Sequence, residues 1–311
     1  MKEALWAISE ELKRLRAEGG DALPVDDESL EALARFARSF SGDAAPETPS
    51  EVKFAESFEF NPEKIAEREP SAPRKITIMT PKGEFEIAPI PPPKPFALPE
   101  GGKQEKWEAL RAIVLGDETC NAHLKPGKKV VFGVGNLDAD IFFCGEAPGA
   151  DEEIQGEPFV GKAGQLLTKI VAAMGLSRDR VYIGNIMNWR PELPTRTGNR
   201  PPTQEEMAYC LPYLKAQIEI VRPKVVVALG MTAVQGLLGF DPTRRMGAMR
   251  GKWHRFEDCD MMITYHPSFL LQYANAEKKR LVWEDMLAVM ERVGLPISEK
   301  QRGYFRPKEG A

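Results

Sequence analysis

The sequence contains no long hydrophobic run. None of its 311 residues falls in an uninterrupted apolar stretch of the length that a membrane helix needs. The N-terminal segment MKEALWAISEELKR also lacks the pattern of a secretory signal peptide. We therefore expect neither insertion into a membrane nor export, and we predict a cytoplasmic protein.

Cysteine is scarce, and the four cysteines are scattered. They are Cys120, Cys144, Cys210 and Cys259, and no two of them form a Cys-x-x-Cys pair. Paired spacing of that kind is typical of metal sites and redox motifs. We interpret the four residues as buried thiols of a cytosolic protein, with a metal site as the alternative.

The net charge of −4 is not evenly distributed along the chain. Residues 1–100 contain 13 Lys and Arg against 20 Asp and Glu, which leaves 29 and 26 of the totals of 42 and 46 for residues 101–311. The first part is therefore acidic and the second mildly basic. A nucleic-acid partner for the second part is compatible with this balance.

The first hundred residues differ in texture from the rest. Residues 1–40 have apolar side chains at helical spacing, and we predict helices there. Residues 41–100 are rich in proline and polar side chains, and within them residues 75–87 alternate in a way that predicts a small hairpin. This extension carries no catalytic constellation, and we expect its N-terminal helix to dock on a protein partner.

Strands and helices alternate from about residue 101. We predict a globular domain at 101–296, with residues 1–100 as an extension and 297–311 as a tail. The strand and helix candidates pair in chain order as DADIFFCG with AGQLLTKIVAAMG, VYIGNIMN with QEEMAYCLPYLKAQIEIV, KVVVALG with MTAVQGLLG, and MMITYHP with AEKKRLVWEDMLAVMERVG. Strict alternation predicts a three-layer α/β/α sandwich around a central, mostly parallel, four-stranded sheet.

Chemically useful side chains follow the predicted strands. Glu146 comes after the first strand, Asn185 ends the second and His266 follows the fourth, while Phe159 lies before the first helix. Ligands of parallel α/β sheets bind at the carboxyl ends of the strands. An amide with a donor and an acceptor, an aromatic ring and an imidazole together suit a planar, hydrogen-bonding ligand such as a nucleobase.

Each of these residues also has a purely structural interpretation. Glu146 could cap a helix or pair with an arginine, and Asn185 could tie two loops together. His266 could belong to a helix-entry turn, and Phe159 could be part of the core. We favour the binding interpretation because all four residues converge on one predicted edge of the sheet.

Three motif blocks resemble those of the uracil-DNA glycosylase superfamily. The blocks are GEAPGADEE…GEPFVGKAGQLL, NIMNWRP…GNR and HPSFLL, and the resemblance is greatest to family 4, over about residues 105–295. It implies that Glu146 and Ala147 form the floor of a uracil pocket and that Phe159 stacks on the base. It also implies that Asn185 reads the uracil edge and that His266 stabilises the departing oxyanion.

The resemblance extends to further positions around the pocket. Position 147 is alanine where more active relatives have a water-activating aspartate, so attention moves to later acids. Glu152 matches a carboxylate implicated in the family, and we assign it to positioning water or stabilising the cationic sugar. Asn199, in the GNR segment, is expected to contact the substrate.

DNA contacts are expected from the third block and from loop arginines. Ser268 and the following Phe-Leu-Leu segment would form a DNA-facing loop, with an apolar side chain, Leu270, filling the gap left by the flipped base. Five loop arginines are candidates for contacts with DNA phosphates: Arg196, Arg200, Arg244, Arg245 and Arg250. Of these we choose Arg200 and Arg250. Solvated surface charge is the alternative for each arginine.

The chain departs from family 4 at the positions of its iron–sulfur cluster. Such enzymes typically use four cysteines, whereas the corresponding residues here are Cys120, His123, Trp189 and Cys210. Tryptophan cannot ligate iron, and a four-iron cluster normally takes four thiolates. We predict that the chain has no cluster and no other cofactor, with Trp189 and His123 filling the space.

The resemblance implies removal of uracil from DNA by hydrolysis of the N-glycosidic bond, which leaves an abasic site. Uracil in single strands or opposite guanine leaves the stack most easily. Two alternatives remain open: a nucleic-acid-binding relative that has lost activity, and a glycosylase for hypoxanthine or a damaged pyrimidine. We expect a monomer that acts on DNA in the nucleoid.

Overall fold

Strands and helices alternate throughout the second part of the chain, as the sequence predicts. The computed structural model describes residues 76–80, 83–87, 89–191, 199–273 and 275–306. The helices predicted in residues 1–40 and the candidate Arg196 lie outside the described residues.

The strands are short and consist mainly of β-branched and aromatic residues. In chain order they are β1 (Ile76–Thr80), β2 (Gly83–Ile87), β3 (Val134–Gly135), β4 (Ile141–Gly145), β5 (Tyr182–Asn185), β6 (Val225–Leu229), β7 (Trp253–Phe256) and β8 (Cys259–Thr264). Strands β1 and β2 pair with each other in antiparallel fashion, which confirms the predicted hairpin. The others form one sheet in the order β3-β5-β4-β6-β8-β7.

Helices connect the strands of this sheet and cover both of its faces. They are α1 (Lys103–Leu115), α2 (Glu118–Ala122), α3 (Ala150–Gln155), α4 (Lys162–Ala173), α5 (Gln204–Val221), α6 (Met231–Leu238), α7 (Met246–Met249), α8 (Pro267–Tyr273), α9 (Ala276–Val293) and α10 (Glu299–Arg302). Helix α5 begins with a capping box in which Thr203 and Glu206 bond each other's backbone N–H groups.

The four predicted strands form the parallel centre of the sheet. They are β5, β4, β6 and β8, and each pairs in parallel with its neighbour. Strands β3 and β7 add an antiparallel edge on either side, so the whole sheet has six strands. The predicted α/β/α sandwich is confirmed, and the additional strands extend its sheet without changing the layers.

The two faces of the sheet have separate hydrophobic cores. One core joins alternate strand residues such as Phe142 and Val226 to side chains of α1, α5 and α6. The other joins residues such as Phe143 and Val227 to α4 and α9. Because successive side chains of a strand point to opposite faces, strands buried on both sides are apolar throughout, as β4 and β6 are.

Both ends of the described chain pack on these cores. Phe96 and Leu98 lie against the first core, and Ile297 and Tyr304 lie against the second. The Gln301 side chain also donates a hydrogen bond of 2.9 Å to the carbonyl of Ala173. The boundaries 1–100, 101–296 and 297–311 stay predictions, but residues on either side of 101–296 contribute to its packing. None of the helices in the described residues is both long and apolar enough to cross a membrane.

Trp189 is completely buried in the first core, and we predict that it is a major contributor to stability. Its ring stacks on His123 with a centroid distance of 5.1 Å and meets Tyr209 edge-on at 6.0 Å. Replacement of a buried tryptophan by alanine typically costs about 3–5 kcal/mol. We expect Trp189→Ala to lower the free energy of unfolding by this amount in urea titrations.

Two further variants make the measurement specific. Trp189→Phe should retain more stability, because it keeps a ring and removes an indole N–H that has no partner among the described residues. Trp253→Ala, on the edge strand β7, should cost less because that ring is only partly buried. An equal loss in Trp189→Ala and Trp253→Ala would contradict the prediction.

Candidate active site

A cavity of about 700 Å³ opens at the carboxyl ends of the parallel strands. Strand β4 ends at Gly145, β5 ends at Asn185 and β8 ends at Thr264, so the residues that follow β4 and β8 and the last residue of β5 meet at one edge. This is the edge at which α/β sheets of this type bind ligands. The geometry therefore brings together side chains that are far apart in sequence.

Most of the predicted site residues line this cavity. They are Glu146, Ala147, Glu152, Phe159, Asn185, Asn199, His266 and Ser268. Leu270, Arg200 and Arg250 are not among its lining residues. The convergence expected from the strand ends is thus present in the structure, whereas the roles of the individual residues remain proposals.

The inner end of the cavity is tightly packed around Gly145. A Cβ atom at this position would lie 2.4 Å from Phe159 Cζ and 2.5 Å from Asn185 Oδ1, so glycine is required for the ring and the amide to approach each other. Asn185 is 7% exposed, and its Oδ1 atom has no hydrogen-bond partner among the described residues. A buried acceptor without a donor costs about 1–3 kcal/mol, which a ligand N–H could recover.

The loop that carries Phe159 is held in an unusual conformation. Phe159 has a φ of 54°, in the left-handed region that non-glycine residues rarely adopt. Arg178 donates hydrogen bonds to the carbonyls of Phe159 (2.9 Å) and Pro158 (2.8 Å). Gly164 of α4 packs so closely on Phe159 that a Cβ atom would lie 1.8 Å from its carbonyl oxygen. These contacts fix the ring over the cavity.

Glu152 holds the same loop from the other side. One carboxylate oxygen accepts a hydrogen bond from Gly149 N at 3.1 Å, and the other accepts from Val160 N at 3.0 Å and Gly161 N at 2.9 Å. The side chain is 9% exposed. Its carboxylate is therefore engaged by three backbone donors, although the residue borders the cavity.

Glu146 lies on the wall of the cavity in a desolvated environment. Burial raises the pKa of its carboxyl group, and a hydrogen bond with the Thr232 hydroxyl partly offsets this effect. The Glu146 carbonyl accepts a hydrogen bond from Met187 N, which ties the segment after β4 to the segment after β5. Glu146 thus combines a structural backbone contact with a polar side chain at the site.

His266 is positioned to act as a neutral hydrogen-bond donor. Burial lowers its pKa to about 4, so the imidazole is uncharged at neutral pH. The backbone N–H of Ser268 donates to Nδ1 at 3.2 Å, and the Ser268 hydroxyl lies 2.8 Å from the same atom. Because Nδ1 accepts this backbone hydrogen bond, the ring proton of the neutral form is on Nε2. The ring lies 5.7 Å from that of Phe159.

The segment after His266 differs from the expected DNA-facing loop. It forms helix α8, and Leu270 is 5% exposed, so the expectation that Leu270 faces DNA needs correction. A helix places successive side chains on different faces, and Leu270 lies on the one that packs inward. The next residue, Leu271, is 50% exposed and is a better candidate for contact with DNA.

Two arginines expected at phosphates are engaged by acids of the protein. Arg200 pairs with Glu206 through two hydrogen bonds of 2.7 Å, and both side chains are buried. Arg250 contacts the carboxylate of Asp285, and it donates to the carbonyl of Leu281 at 2.6 Å. These contacts favour a structural role for both arginines over the expected phosphate contacts.

Asn199 remains a candidate for substrate contact. It is exposed, lines the cavity and accepts a hydrogen bond of 3.0 Å from Arg190 Nε. Arg244 and Arg245 are also near the surface, but each donates to backbone carbonyls close by, including those of Gly239 and Pro242.

The positions of the family's iron–sulfur cluster are filled by packed side chains. Trp189 is fully buried and stacks on His123. Of the four positions only Cys120 and Cys210 are cysteines, whereas a four-iron cluster normally takes four thiolates. In the described ranges no group of three or more His, Cys, Asp or Glu side chains could hold a metal ion. The residues present do not fit a four-iron cluster.

The neighbouring Asp117 joins two helices at the same place. It caps α2 by accepting a hydrogen bond from Cys120 N at 2.7 Å, and it accepts hydrogen bonds from the hydroxyls of Tyr209 (2.8 Å) and Tyr213 (3.0 Å) on α5. Burial opposes ionisation of Asp117, but these donors outweigh it and lower its pKa. Protein hydrogen bonds and aromatic packing thus connect α2 and α5.

Several residues of the site had no distinct signal in the sequence. Arg178 holds the Phe159 loop from a turn before β5, and Met246 lines the cavity from the short helix α7. Neither follows a central strand, so the rule that indicated Glu146 and His266 does not apply to them. Asp151 also lines the cavity, next to Glu152 on α3.

The pH dependence of stability should reveal the neutral, partly buried His266. Its pKa is about 4 in the folded protein and 6.5 in the unfolded chain, so the unfolded chain binds more protons between these values. We expect the free energy of unfolding to decrease as the pH falls from 6.5 to 4, and His266→Asn should weaken this decrease. Denaturant titrations across this range measure it, with His254→Asn as the control; equal slopes in wild type and His266→Asn would count against the assignment.

Comparison with known proteins identifies the family of the chain. The model of the uracil DNA glycosylase superfamily matches residues 132–287. The chain is 39% identical over 187 residues to a type-4 uracil-DNA glycosylase of Thermotoga maritima, covering 59% of this chain and 93% of the relative.

Two archaeal relatives give the same result. The chain is 41% identical over 173 residues to a type-4 uracil-DNA glycosylase of Archaeoglobus fulgidus, covering 54% of this chain and 84% of the relative. It is 36% identical over 171 residues to a type-4 uracil-DNA glycosylase of Pyrobaculum aerophilum, covering 53% of this chain and 84% of the relative. These similarities confirm the predicted family: the chain belongs to the uracil DNA glycosylase superfamily.

Proposed function

We propose that this protein excises uracil from DNA by hydrolysing the N-glycosidic bond and leaves an abasic site. The observation that carries the proposal is the buried, unpartnered Oδ1 atom of Asn185 at the inner end of the cavity. Uracil has an N3–H donor next to the O4 acceptor, and the Asn185 amide can match both. Cytosine has an acceptor at N3 and a donor at C4, so it leaves this arrangement unmatched.

The other side chains support the same ligand. Phe159 offers a ring face for stacking on the base, and its backbone is held by Arg178. His266 can donate from Nε2 to the uracil O2 atom, on which negative charge develops as the C1′–N1 bond breaks. A neutral donor suits this task, because it stabilises the developing anion through a hydrogen bond and keeps its own proton. Glu146 and Ala147 complete the wall of the pocket.

The base must leave the DNA stack to reach this pocket. We propose that Leu271 takes the gap-filling role that we first expected of Leu270, since Leu271 is the exposed leucine of α8. Ser268 is proposed to contact the DNA backbone next to it. Asn199, exposed at the rim, is proposed to contact the substrate nucleotide.

We also propose that the protein works without an iron–sulfur cluster. Support comes from the stacked pair of Trp189 and His123, which occupies two of the four positions where a cluster would need thiolates. In this proposal the hydrogen bonds of Asp117 and the packing of Trp189 hold together the helices that a cluster would otherwise join.

The remaining expectations concern the partners of the chain. We propose that it acts as a monomer on single- or double-stranded DNA that contains uracil. We further propose that residues 1–100 form an extension whose first helix docks on a protein partner, with residues 101–296 as the glycosylase domain and 297–311 as its tail. A cytoplasmic protein associated with the nucleoid is consistent with these proposals.

Removing the Asn185 amide should abolish efficient excision without unfolding the protein. The substrates are labelled oligonucleotides with uracil opposite guanine, opposite adenine or in a single strand, followed by alkali to cleave abasic sites. We expect wild type to cleave them and Asn185→Ala to be slower by about 10²–10³-fold, the cost of losing one key polar contact in an active site. Its melting temperature should stay near that of wild type, since the Asn185 side-chain Oδ1 atom has no hydrogen-bond partner among the described residues to lose.

A matched variant separates activity from stability. Asn188 is also buried, but its side chain donates to the Val131 carbonyl at 3.1 Å, so Asn188→Ala should lower the melting temperature instead. Absence of cleavage by wild type, with DNA binding intact, would favour a non-catalytic relative. Cleavage confined to a hypoxanthine oligonucleotide would favour another base specificity.

Purified protein should be colourless. A four-iron cluster gives a broad brown absorption in the visible range, and we expect anaerobically purified protein to lack both this band and stoichiometric iron. Full excision activity in the presence of an iron chelator is the second expected result. A brown protein with about four irons per chain would refute the proposal that the cluster has been replaced by packing.

A further inference from the structure

The acidic segment after β4 contains five carboxylates, and four of them are engaged within the protein. Glu152 accepts from three backbone N–H groups, and Glu146 bonds the Thr232 hydroxyl. Glu153 is buried and pairs with Arg190 at 2.9 Å and with Lys128 at 3.4 Å. Glu157 lies 3.6 Å from Arg178.

Asp151 is the exception in this segment. Its side chain lines the cavity and is exposed, and within the described part of the chain it makes no hydrogen bond or ion pair. Its Oδ2 atom lies beside Gly161, where a Cβ atom would approach it to 2.7 Å. Gly161 is the N-cap of α4, so the Asp151 carboxylate lies beside the N-terminus of that helix.

The depth of the other side chains indicates what Asp151 faces. Asn185 and the ring of Phe159 are buried at the inner end, where they would hold the base, at 7% and 6% exposure. The sugar of a flipped nucleotide lies between its base and the DNA backbone, which stays outside the pocket. A carboxylate at the exposed rim would therefore be on the side of the sugar, whereas the Glu152 carboxylate is turned towards the loop that it holds.

We infer that Asp151 is the carboxylate that orients the attacking water and stabilises the cationic sugar, and that Glu152 is a positioning residue that holds the Phe159 loop. This inference rests on the proposed uracil excision. In the step, the oxygen of water bonds to C1′ while the C1′–N1 bond breaks and its electron pair leaves with uracil. One proton of the water passes to the Asp151 carboxylate, and the uracil anion accepts the hydrogen bond from His266.

Replacing each carboxylate by the corresponding amide should affect different properties: the excision rate for Asp151 and the stability for Glu152. Asp151→Asn should lower the single-turnover rate of uracil excision by about 100-fold or more, the usual contribution of a positioned acid or base. Its melting temperature should be unchanged, and its affinity for the uracil oligonucleotide should be equal or tighter, because one negative charge near the phosphates is gone. Asp151→Glu, which keeps a carboxylate, should recover part of the rate.

Glu152→Gln should instead lower the stability of the protein and its affinity for the oligonucleotide. An amide group cannot accept on its nitrogen, so at least one of the three backbone donors loses its partner. We expect a lower melting temperature and weaker binding of the same oligonucleotide. The matched control is Asp258→Asn, which makes the same change of charge at an exposed turn between β7 and β8, at the opposite edge of the sheet; it should leave rate, affinity and melting temperature unchanged.

The outcomes separate this inference from the function on which it rests. Excision by wild type together with a wild-type rate in Asp151→Asn would overturn the role of Asp151 and leave uracil excision standing. A reduced rate in Asp151→Asn that arises only from weaker binding would overturn it as well. No excision by the wild-type chain would remove the proposed function and this inference with it.

Discussion

The hydrogen bonds that the Glu152 carboxylate accepts from Gly149, Val160 and Gly161 hold the candidate site together. They join the turn after β4 to the loop before α4, and that loop contains Phe159 in a left-handed conformation. Such a conformation costs about 1–3 kcal/mol and persists only where the surroundings enforce it. Arg178 and the close packing of Gly164 add the remaining constraints, so the ring is in place before any ligand binds.

In a preformed pocket of this kind, the side chains that would bind the base are different from those that would act at the sugar. Two polar groups of the site can pair with a nucleobase, namely the buried Oδ1 atom of Asn185 and the Nε2–H of the partly buried His266. The low pKa of His266 follows from the same burial, which favours an uncharged donor. At the rim, Asp151 keeps a carboxylate free. The two groups that would pair with the base are thus neutral, whereas Asp151 presents its carboxylate where water still reaches.

Away from the site, the side chains at the cluster positions pack closely with their neighbours on α2 and α5. Trp189 fills the interior next to His123 and Tyr209, and Asp117 links α2 to α5 through two tyrosine hydroxyls. A ring of this size and a network of charge-assisted hydrogen bonds are each stabilising. The buried indole N–H of Trp189 has no hydrogen-bond partner among the described residues, which is destabilising.

The sequence by itself determined the layers of the fold and the edge of the sheet where the site lies, because strand and helix periodicities are local and parallel strands bring their carboxyl ends together. It therefore indicated Glu146, Asn185, His266 and Phe159 correctly as neighbours. Only the tertiary structure decided which side chains are free to act. Leu270 is buried, whereas Leu271 is exposed. Arg250 is engaged by Asp285. The Glu152 carboxylate accepts three backbone hydrogen bonds, whereas that of Asp151 accepts none within the described residues. These outcomes depend on hydrogen-bond partners and depth, which are set by contacts between segments distant in sequence.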